Sequence, residues 1–161
     1  MEPMVERRRE TGLVKTSAMG PLLSGNGVLH HMGFVVASIS KVAEEFEASM
    51  SAHWDRQITH DPRQRVRVAF FYPVDKRNPV LELVEPADEN SPVGSFLQNG
   101  GGFHHVCYEI DDLESGLQSA RETGLVVVGH PALAVAFSGR RIAWLCSKNR
   151  LLIELLERHP V

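Results

Sequence analysis

The chain of 161 residues has little cysteine and no long apolar run. Its two cysteines form no Cys-x-x-Cys pair, which argues against a disulfide framework and against a cysteine-based zinc site. Cys107 and Cys146 lie in apolar, strand-like runs, so we expect buried free thiols and a reducing, cytoplasmic setting. A membrane-spanning helix needs about 20 apolar residues, so we expect no membrane association.

An excess of positive charge is also missing. Lys and Arg number 17 against 20 Asp and Glu, which gives a net charge of −3. Proteins that bind nucleic acid usually present a basic face, so we expect no nucleic-acid partner. Residues 1–27 mix charge with Gly, Ser and Asn without a sustained period, and we expect a flexible or loosely docked N-terminal extension.

What the chain does contain is an internal repeat. Leu29-His30-His31-Met32-Gly33 opens one half, and Phe103-His104-His105-Val106-Cys107 opens the other. A helix-like run follows each opening, and a glutamate inside an apolar strand comes later, Glu82 in the first half and Glu154 in the second. The second histidine of each pair precedes its glutamate by 51 residues in the first half and by 49 in the second. Each half therefore supplies one His and one Glu at matched positions.

The order of periodic segments predicts the fold class. Both halves indicate a strand, a helix and then further strands, which is typical of an α+β fold. We predict two βαβββ modules, residues 28–86 and 103–157, that form one domain over residues 28–157. Each module alone would expose the inner face of its curved sheet. Pairing of the two sheets would bury part of that face and leave a cleft between them.

The matched histidines and glutamates could converge in that cleft. Successive side chains on a strand point to opposite faces, which places Glu82 and Glu154 among apolar neighbours. A buried carboxylate without a partner is costly, and metal coordination is one compensation. For each residue alone, a solvated edge glutamate or a core histidine is the commoner explanation. Their recurrence in both halves favours a metal site with four ligands, His31, Glu82, His105 and Glu154.

The neighbouring residues His30 and His104 should project to the opposite faces, as packing residues or as support for the ligands. We therefore expect His31→Ala and His105→Ala to abolish metal binding and His30→Ala not to. Two imidazoles and two carboxylates suit Mn²⁺, Co²⁺, Ni²⁺, Fe²⁺ or Zn²⁺, with water in the remaining positions. Open positions favour Lewis-acid chemistry at a carbonyl oxygen, with a carboxylate that takes a proton from the adjacent carbon.

With these residues in place, the chain resembles the vicinal oxygen chelate superfamily, which includes glyoxalase I, extradiol dioxygenases, bleomycin-resistance proteins and methylmalonyl-CoA epimerases. The resemblance covers about residues 28–157 and is closest to the epimerases, most specifically over residues 101–114. It implies a glyoxalase-like fold, a divalent metal ion, a small-molecule substrate such as an acyl-CoA, and a homodimer. By position it implies the same four ligands, with Glu154 as the best candidate for a catalytic acid or base.

The chain departs from the epimerases at two places. Some epimerases carry a second catalytic glutamate on the strand that matches residues 66–70, where this chain has Arg67 and Val68. The segment before the penultimate strand also differs, and its cations would bind phosphates or a substrate carboxylate, or would be surface charges. These candidate substrate-binding residues are Arg140, Arg141 and Lys148.

Three functions stay open on the sequence. The first is a metal-dependent epimerase or isomerase that acts next to a carbonyl group, with an acyl-CoA as substrate. The second is another enzyme of the superfamily, such as a lactoylglutathione lyase or an extradiol dioxygenase. The third is a non-catalytic, small-molecule-binding protein of the resistance type.

Overall fold

One mixed β-sheet organises the computed structural model, which describes residues 27–158. Its strands, in chain order, are β1 (Val28–Val35), β2 (Ala52–Trp54), β3 (Thr59–Asp61), β4 (Val66–Pro73), β5 (Val80–Pro86), β6 (Gly102–Ile110), β7 (Val126–Leu133), β8 (Arg141–Cys146) and β9 (Leu152–Glu157). The helices are α1 (Ile39–Met50), α2 (Gly94–Gln98), α3 (Leu113–Glu122) and a 3-10 turn (Val135–Phe137). Apart from residue 27, the predicted extension over 1–27 lies outside the described residues.

The two halves of the chain meet at the centre of the sheet. The strand order is β2-β4-β5-β1-β6-β9-β8-β7, with β3 also paired to β4. β1 pairs in parallel with β5, and β6 pairs in parallel with β9. The antiparallel β1–β6 ladder joins the halves. In the first half, β2 and β3 have only three residues each, too few for an alternation pattern to reveal them in the sequence.

Each half buries one helix against one face of its sheet. Ile39 and Ala43 of α1 pack with Leu81 and Leu83 of β5. In the second half, the corresponding cluster joins α3 to β8 and β9 and consists of Ile110, Leu113, Leu117, Ala120, Ala143, Leu145, Ile153 and Leu155. Because side chains alternate along a strand, Glu82 between Leu81 and Leu83, and Glu154 between Ile153 and Leu155, face the other, concave side.

A second pair of glutamates, three residues beyond the first pair, lies at the helix N-termini. The backbone N–H of Ile39 donates to Glu85 Oε2 over 2.7 Å. The backbone N–H of Leu113 donates to Glu157 Oε1 over 3.3 Å. Ser38 precedes α1 but makes no side-chain capping bond there. The strands that carry Glu82 and Glu154 therefore also supply carboxylates that satisfy free N–H groups in the first turn of each helix. Asp112 caps α3 in addition, because its side chain accepts from the N–H of Ser115 over 2.6 Å.

Both cysteines of the chain are free thiols, Cys107 fully buried and Cys146 partly so. Among the described residues, the longest helix is α1 with 12 residues, and none of the helices is long and apolar enough to cross a membrane.

Candidate metal centre

The structure brings the four predicted ligands together in the middle of the concave face. His31 on β1 and His105 on β6 come from the two strands of the central ladder, and Glu82 on β5 and Glu154 on β9 come from the strands beside them. All four are buried, with exposed fractions of 0% for His31, 5% for Glu82, 2% for His105 and 3% for Glu154. Each half thus contributes one nitrogen and one oxygen donor to a common point.

The donor atoms are spaced as ligands of one ion would be. His31 Nε2 lies 3.1 Å from His105 Nε2, 3.4 Å from Glu82 Oε2 and 3.2 Å from Glu154 Oε2. His105 Nε2 lies 3.3 Å from Glu82 Oε2 and 3.7 Å from Glu154 Oε2. Metal–ligand bonds of about 2.1 Å imply donor–donor distances of about 3.0 Å in an octahedron and about 3.4 Å in a tetrahedron. Donor atoms of His31, His105 and Glu154 all lie within 4.8 Å of one another and fit a divalent ion, and Glu82 Oε2 lies within 3.4 Å of both histidines.

Electrostatics in the centre favour positive charge. Burial by itself would raise the pKa of Glu82, but His31 and His105 hold that pKa well below its ordinary range. Burial would likewise lower the pKa of His31, but the charge of Glu82 and hydrogen bonds with Cys107 and Glu154 raise it well above its ordinary value. The buried imidazole of His31 and the carboxylate of Glu82 therefore stabilise each other's charged forms.

Two β-bulges position the histidines. His30 is an extra residue of β1 in the ladder with β6, and His104 is an extra residue of β6 in the same ladder. A bulge interrupts the alternation of side chains. Consequently Nδ1 of His30 lies 2.9 Å from Nδ1 of His31, and Nδ1 of His104 lies 3.0 Å from Nδ1 of His105. The expectation that His30 and His104 project away from their neighbours was wrong, because alternation holds only in an unbroken ladder.

Gly33 makes room for one of the ligands. It is the cross-strand partner of His105, whose imidazole lies directly over it. A Cβ atom at Gly33 would lie 2.0 Å from Cε1 of His105, far inside contact distance. The absence of a side chain at this position therefore allows the imidazole to lie flat against β1.

A cleft of about 460 Å³ opens onto the centre. Three of the four donor residues, Glu82, His105 and Glu154, line it. Its wall is largely apolar and includes Val68, and Arg63 also lines it. His104 also lines the cleft, where burial and the neighbouring His105 lower its pKa to about 4, so that it is neutral at neutral pH.

Phe137 separates this cleft from a second cavity of about 350 Å³. It belongs to residues 134–139, which we call the strap, and its ring lines both cavities. The Phe137 ring stacks on the His31 imidazole, with 5.6 Å between centroids and 25° between planes. Sequence reasoning missed this residue because no periodic pattern marks the strap.

Asp61 holds the strap in place. Although it is only 1% exposed, its Oδ2 accepts a hydrogen bond from the backbone N–H of Val135 over 3.0 Å. Its Oδ1 accepts from the backbone N–H groups of Arg63 and Gln64. Burial by itself would raise the pKa of Asp61, but these hydrogen bonds lower it. In the sequence Asp61-Pro62 signals only a turn, since the partner Val135 is 74 residues away.

The three predicted substrate-binding cations are not among the residues that line the cleft beside the donors. Arg140 lines the second cavity and pairs with Glu109 over 2.5 Å. Arg141 pairs with Glu157, also over 2.5 Å, beside the N-terminus of α3. Lys148 is exposed between β8 and β9. Their role in binding a substrate stays a prediction.

Comparisons with known proteins show what the chain is similar to. A family model described as the Glyoxalase/Bleomycin resistance protein/Dioxygenase superfamily matches residues 30–144. The ethylmalonyl-CoA/methylmalonyl-CoA epimerase of Cereibacter sphaeroides is 29% identical over 133 residues, which cover 80% of this chain and 96% of the relative. The uncharacterized protein YqjC of Bacillus subtilis is 31% identical over 132 residues, which cover 80% of this chain and 91% of YqjC.

Solved structures share the fold. Methylmalonyl-CoA epimerase from Mycobacterium tuberculosis superposes with a TM-score of 0.71 at 25% identity, over 82% of this chain and 88% of that one. A Streptomyces coelicolor methylmalonyl-CoA epimerase in complex with 2-nitronate-propionyl-CoA superposes with a TM-score of 0.69 at 25% identity, over 83% and 96%. These likenesses confirm the α+β fold with a curved, cleft-forming sheet that the sequence predicted.

Proposed function

The chain belongs to the glyoxalase/bleomycin resistance protein/dioxygenase superfamily, and from this premise we propose that it is a divalent-metal-dependent epimerase of methylmalonyl-CoA or a closely related acyl-CoA. One observation carries the proposal: two imidazoles and two carboxylates, one of each from either half, converge at the base of a largely apolar cleft. Relatives over most of the chain's length are named as epimerases of this substrate class, which supports the assignment.

The ion would be held by His31, Glu82, His105 and Glu154. Two nitrogen and two oxygen donors suit Co²⁺, Mn²⁺, Ni²⁺, Fe²⁺ or Zn²⁺. When bound, such an ion supplies a Lewis acid for the carbonyl oxygen beside the carbon that loses its proton.

Glu154 is the residue to which we assign proton transfer. Its side chain lies on the floor of the cleft, and its strand holds it there because Ile153 and Leu155 on either side pack into the core. A carboxylate in this position can take the C2 proton of a 2-methylmalonyl group. The wall around it is largely apolar and includes Val68 and Val84.

The shape and charge of the cleft suit an acyl thioester with a phosphorylated arm. Its volume of about 460 Å³ lies within the range of small-molecule sites. Arg63 and Arg65 also line the cleft, where Arg63 can meet phosphate groups, while Arg65 pairs with Asp88 over 2.9 Å. The relative from Streptomyces coelicolor holds an acyl-CoA analogue, which supports a ligand of this class.

Proton exchange in deuterated water tests the function. With Co²⁺ or Mn²⁺ added, the protein should replace the C2 proton of methylmalonyl-CoA by deuterium, measured by ¹H NMR. Glu154→Gln should slow the exchange by about 10²–10⁴-fold, the usual contribution of a general acid or base. Glu89→Gln, at an exposed loop position, is the matched control and should leave the rate unchanged.

Failure of the wild-type protein to catalyse exchange with either metal would contradict the proposed substrate. Turnover of a glutathione hemithioacetal in its place would assign the chain to the lactoylglutathione lyases instead. Because Glu154 is also a proposed ligand, the metal content of the variant is measured before its rate is interpreted.

We also propose that the protein is a cytoplasmic homodimer. The free thiols Cys107 and Cys146 suit a reducing compartment. At the end of the sheet β7 presents Val126 and Val128, which are 63% and 47% exposed, and an apolar sheet edge is commonly covered by a second copy. Light scattering that gives the 17.9 kDa mass of a single chain would contradict the dimer.

A further inference from the structure

The proposed metal centre leaves one nitrogen on each ligand histidine to be accounted for. His31 and His105 turn Nε2 toward the glutamates and toward each other. Their other nitrogen, Nδ1, faces Nδ1 of the preceding histidine, at 2.9 Å in the first half and 3.0 Å in the second. The same contact between consecutive residues therefore occurs twice, once in each half.

Hydrogen-bond chemistry allows one assignment of protons when Nε2 binds a metal. A neutral imidazole has one N–H donor and one acceptor nitrogen. A ligand histidine that uses Nε2 as its lone-pair donor must carry its proton on Nδ1. That N–H then donates to Nδ1 of the preceding histidine, whose own proton lies on Nε2, and in the first half the Cys107 thiol is a second hydrogen-bond partner of His31.

The backbone is shaped to make these contacts. On an unbroken strand the side chains of consecutive residues diverge, and here a bulge at His30 and another at His104 bring them together. Each supporting imidazole is held in turn by an aromatic ring: Phe137 lies edge-on to His30 at 5.7 Å, and Phe96 lies edge-on to His104 at 4.9 Å. His30 and His104 are therefore themselves held in place by neighbouring aromatic rings.

We propose that His30 and His104 are positioning residues that fix the tautomer and the ring orientation of His31 and His105. This inference rests on the proposed metal-dependent function and deepens it. Groups that hydrogen-bond the second nitrogen of a ligand histidine orient the ring and raise its basicity, and their loss usually weakens metal binding by about 10- to 100-fold. The two histidines act on the ligands and do not themselves bind the ion.

Paired substitutions separate a hydrogen-bonding role from a packing role. His104→Leu and His30→Leu remove the acceptor and keep much of the bulk, whereas His104→Asn and His30→Asn keep an acceptor oxygen close to the position of Nδ1. The Co²⁺ affinity, measured by competition with a chelating dye, should fall by about 10- to 100-fold in each leucine variant. The asparagine variants should regain most of it. His130→Leu, at an exposed position of β7, is the matched control and should bind like the wild type.

Nitrogen NMR gives a readout that a packing defect would not reproduce. In the Zn²⁺-loaded wild type with ¹⁵N-labelled histidine, His31 and His105 should show Nδ1–H signals protected from exchange with water. The leucine variants should lose the protected signal of their own half only. The asparagine variants should keep it.

The possible outcomes are distinct. If the wild type binds neither Co²⁺ nor Zn²⁺, the proposed function fails. If the wild type binds but the leucine and asparagine variants bind equally well, the inference fails and the function stands. If a leucine variant does not fold, the asparagine variants and the wild-type spectrum decide, because absence of protected Nδ1–H signals in the loaded wild type also overturns the inference.

Discussion

A single added methyl group should disable the candidate centre while the fold survives. Gly33→Ala places a Cβ atom 2.0 Å from Cε1, 2.4 Å from Nδ1 and 2.7 Å from Nε2 of His105. The φ of Gly33 lies outside the left-handed region, so the position is open to alanine. The substitution therefore acts through the imidazole of His105 and not through strain in β1.

The displacement follows from these distances. Carbon atoms in contact lie about 3.5–4.0 Å apart, so the ring must move by about 1.5–2 Å. A metal–nitrogen bond tolerates a change of about 0.2 Å, so His105 can no longer serve as a ligand in its present place. A misplacement of about 1 Å can reduce a rate by about 10²-fold. We expect at least that loss of exchange activity, and a loss of about 1–3 kcal/mol in the free energy of unfolding from overpacking.

Co²⁺ affinity by dye competition, together with urea unfolding, tests this reasoning. The matched control is Gly94→Ala in α2, where a Cβ atom would meet nothing within 4 Å. The control should bind Co²⁺ like the wild type. If Gly33→Ala also binds Co²⁺ with wild-type affinity, then His105 does not bind the ion from its present place, and its assignment to the donor set is refuted.

Two further substitutions test the scaffold. Asp61→Asn should lower the free energy of unfolding at pH 7 by about 1–3 kcal/mol, because the charged carboxylate accepts the N–H groups of Gln64 and Val135. These bonds hold the pKa of Asp61 below the ordinary 3.8, although burial opposes them. The difference in free energy of unfolding between the wild type and the variant should therefore be complete above pH 3.8 and disappear as the pH falls through the lower pKa of the folded state. Unfolding curves that stay equally far apart at acid pH would contradict this account. Leu155→Ala should cost about 2–5 kcal/mol in urea unfolding, since Leu155 is fully buried, and a loss below about 1 kcal/mol would show that the cluster around α3 collapses to fill the space.

The sequence could predict the positions of the glutamates because β5 and β9 are regular strands. Leu81 and Leu83 flank Glu82 and pack beneath α1, so alternation sends Glu82 to the opposite face. The same pattern holds around Glu154 in the second half. The structure brings the four residues together as the repeat predicts, because the ladder between β1 and β6 places the two histidines beside each other.

Features that depend on pairing between distant segments could not be predicted from the sequence. A bulge is a mismatch in the pairing of two strands, so the sequence of β1 alone does not reveal that His30 is an extra residue. The bond from Val135 to Asp61 joins segments 74 residues apart and follows no period. The glutamates at the helix N-termini, Glu85 and Glu157, were visible as a repeat three residues after the first pair. Their hydrogen bonds to the helix N-termini could not be predicted, because each bond joins a strand to a separate helix.

Each half of the chain supplies one histidine and one glutamate, but only the second half supplies a segment that covers the centre. The strap comes from the second half alone, and its Phe137 ring lies against His31, which is fully buried. The other three donor residues face the larger cavity, so a molecule that enters there meets two carboxylates and the imidazole of His105. The two halves supply matched donors, but the centre is covered by the strap on the His31 side and open to the larger cavity on the other. A substrate can therefore approach the ion from one side only.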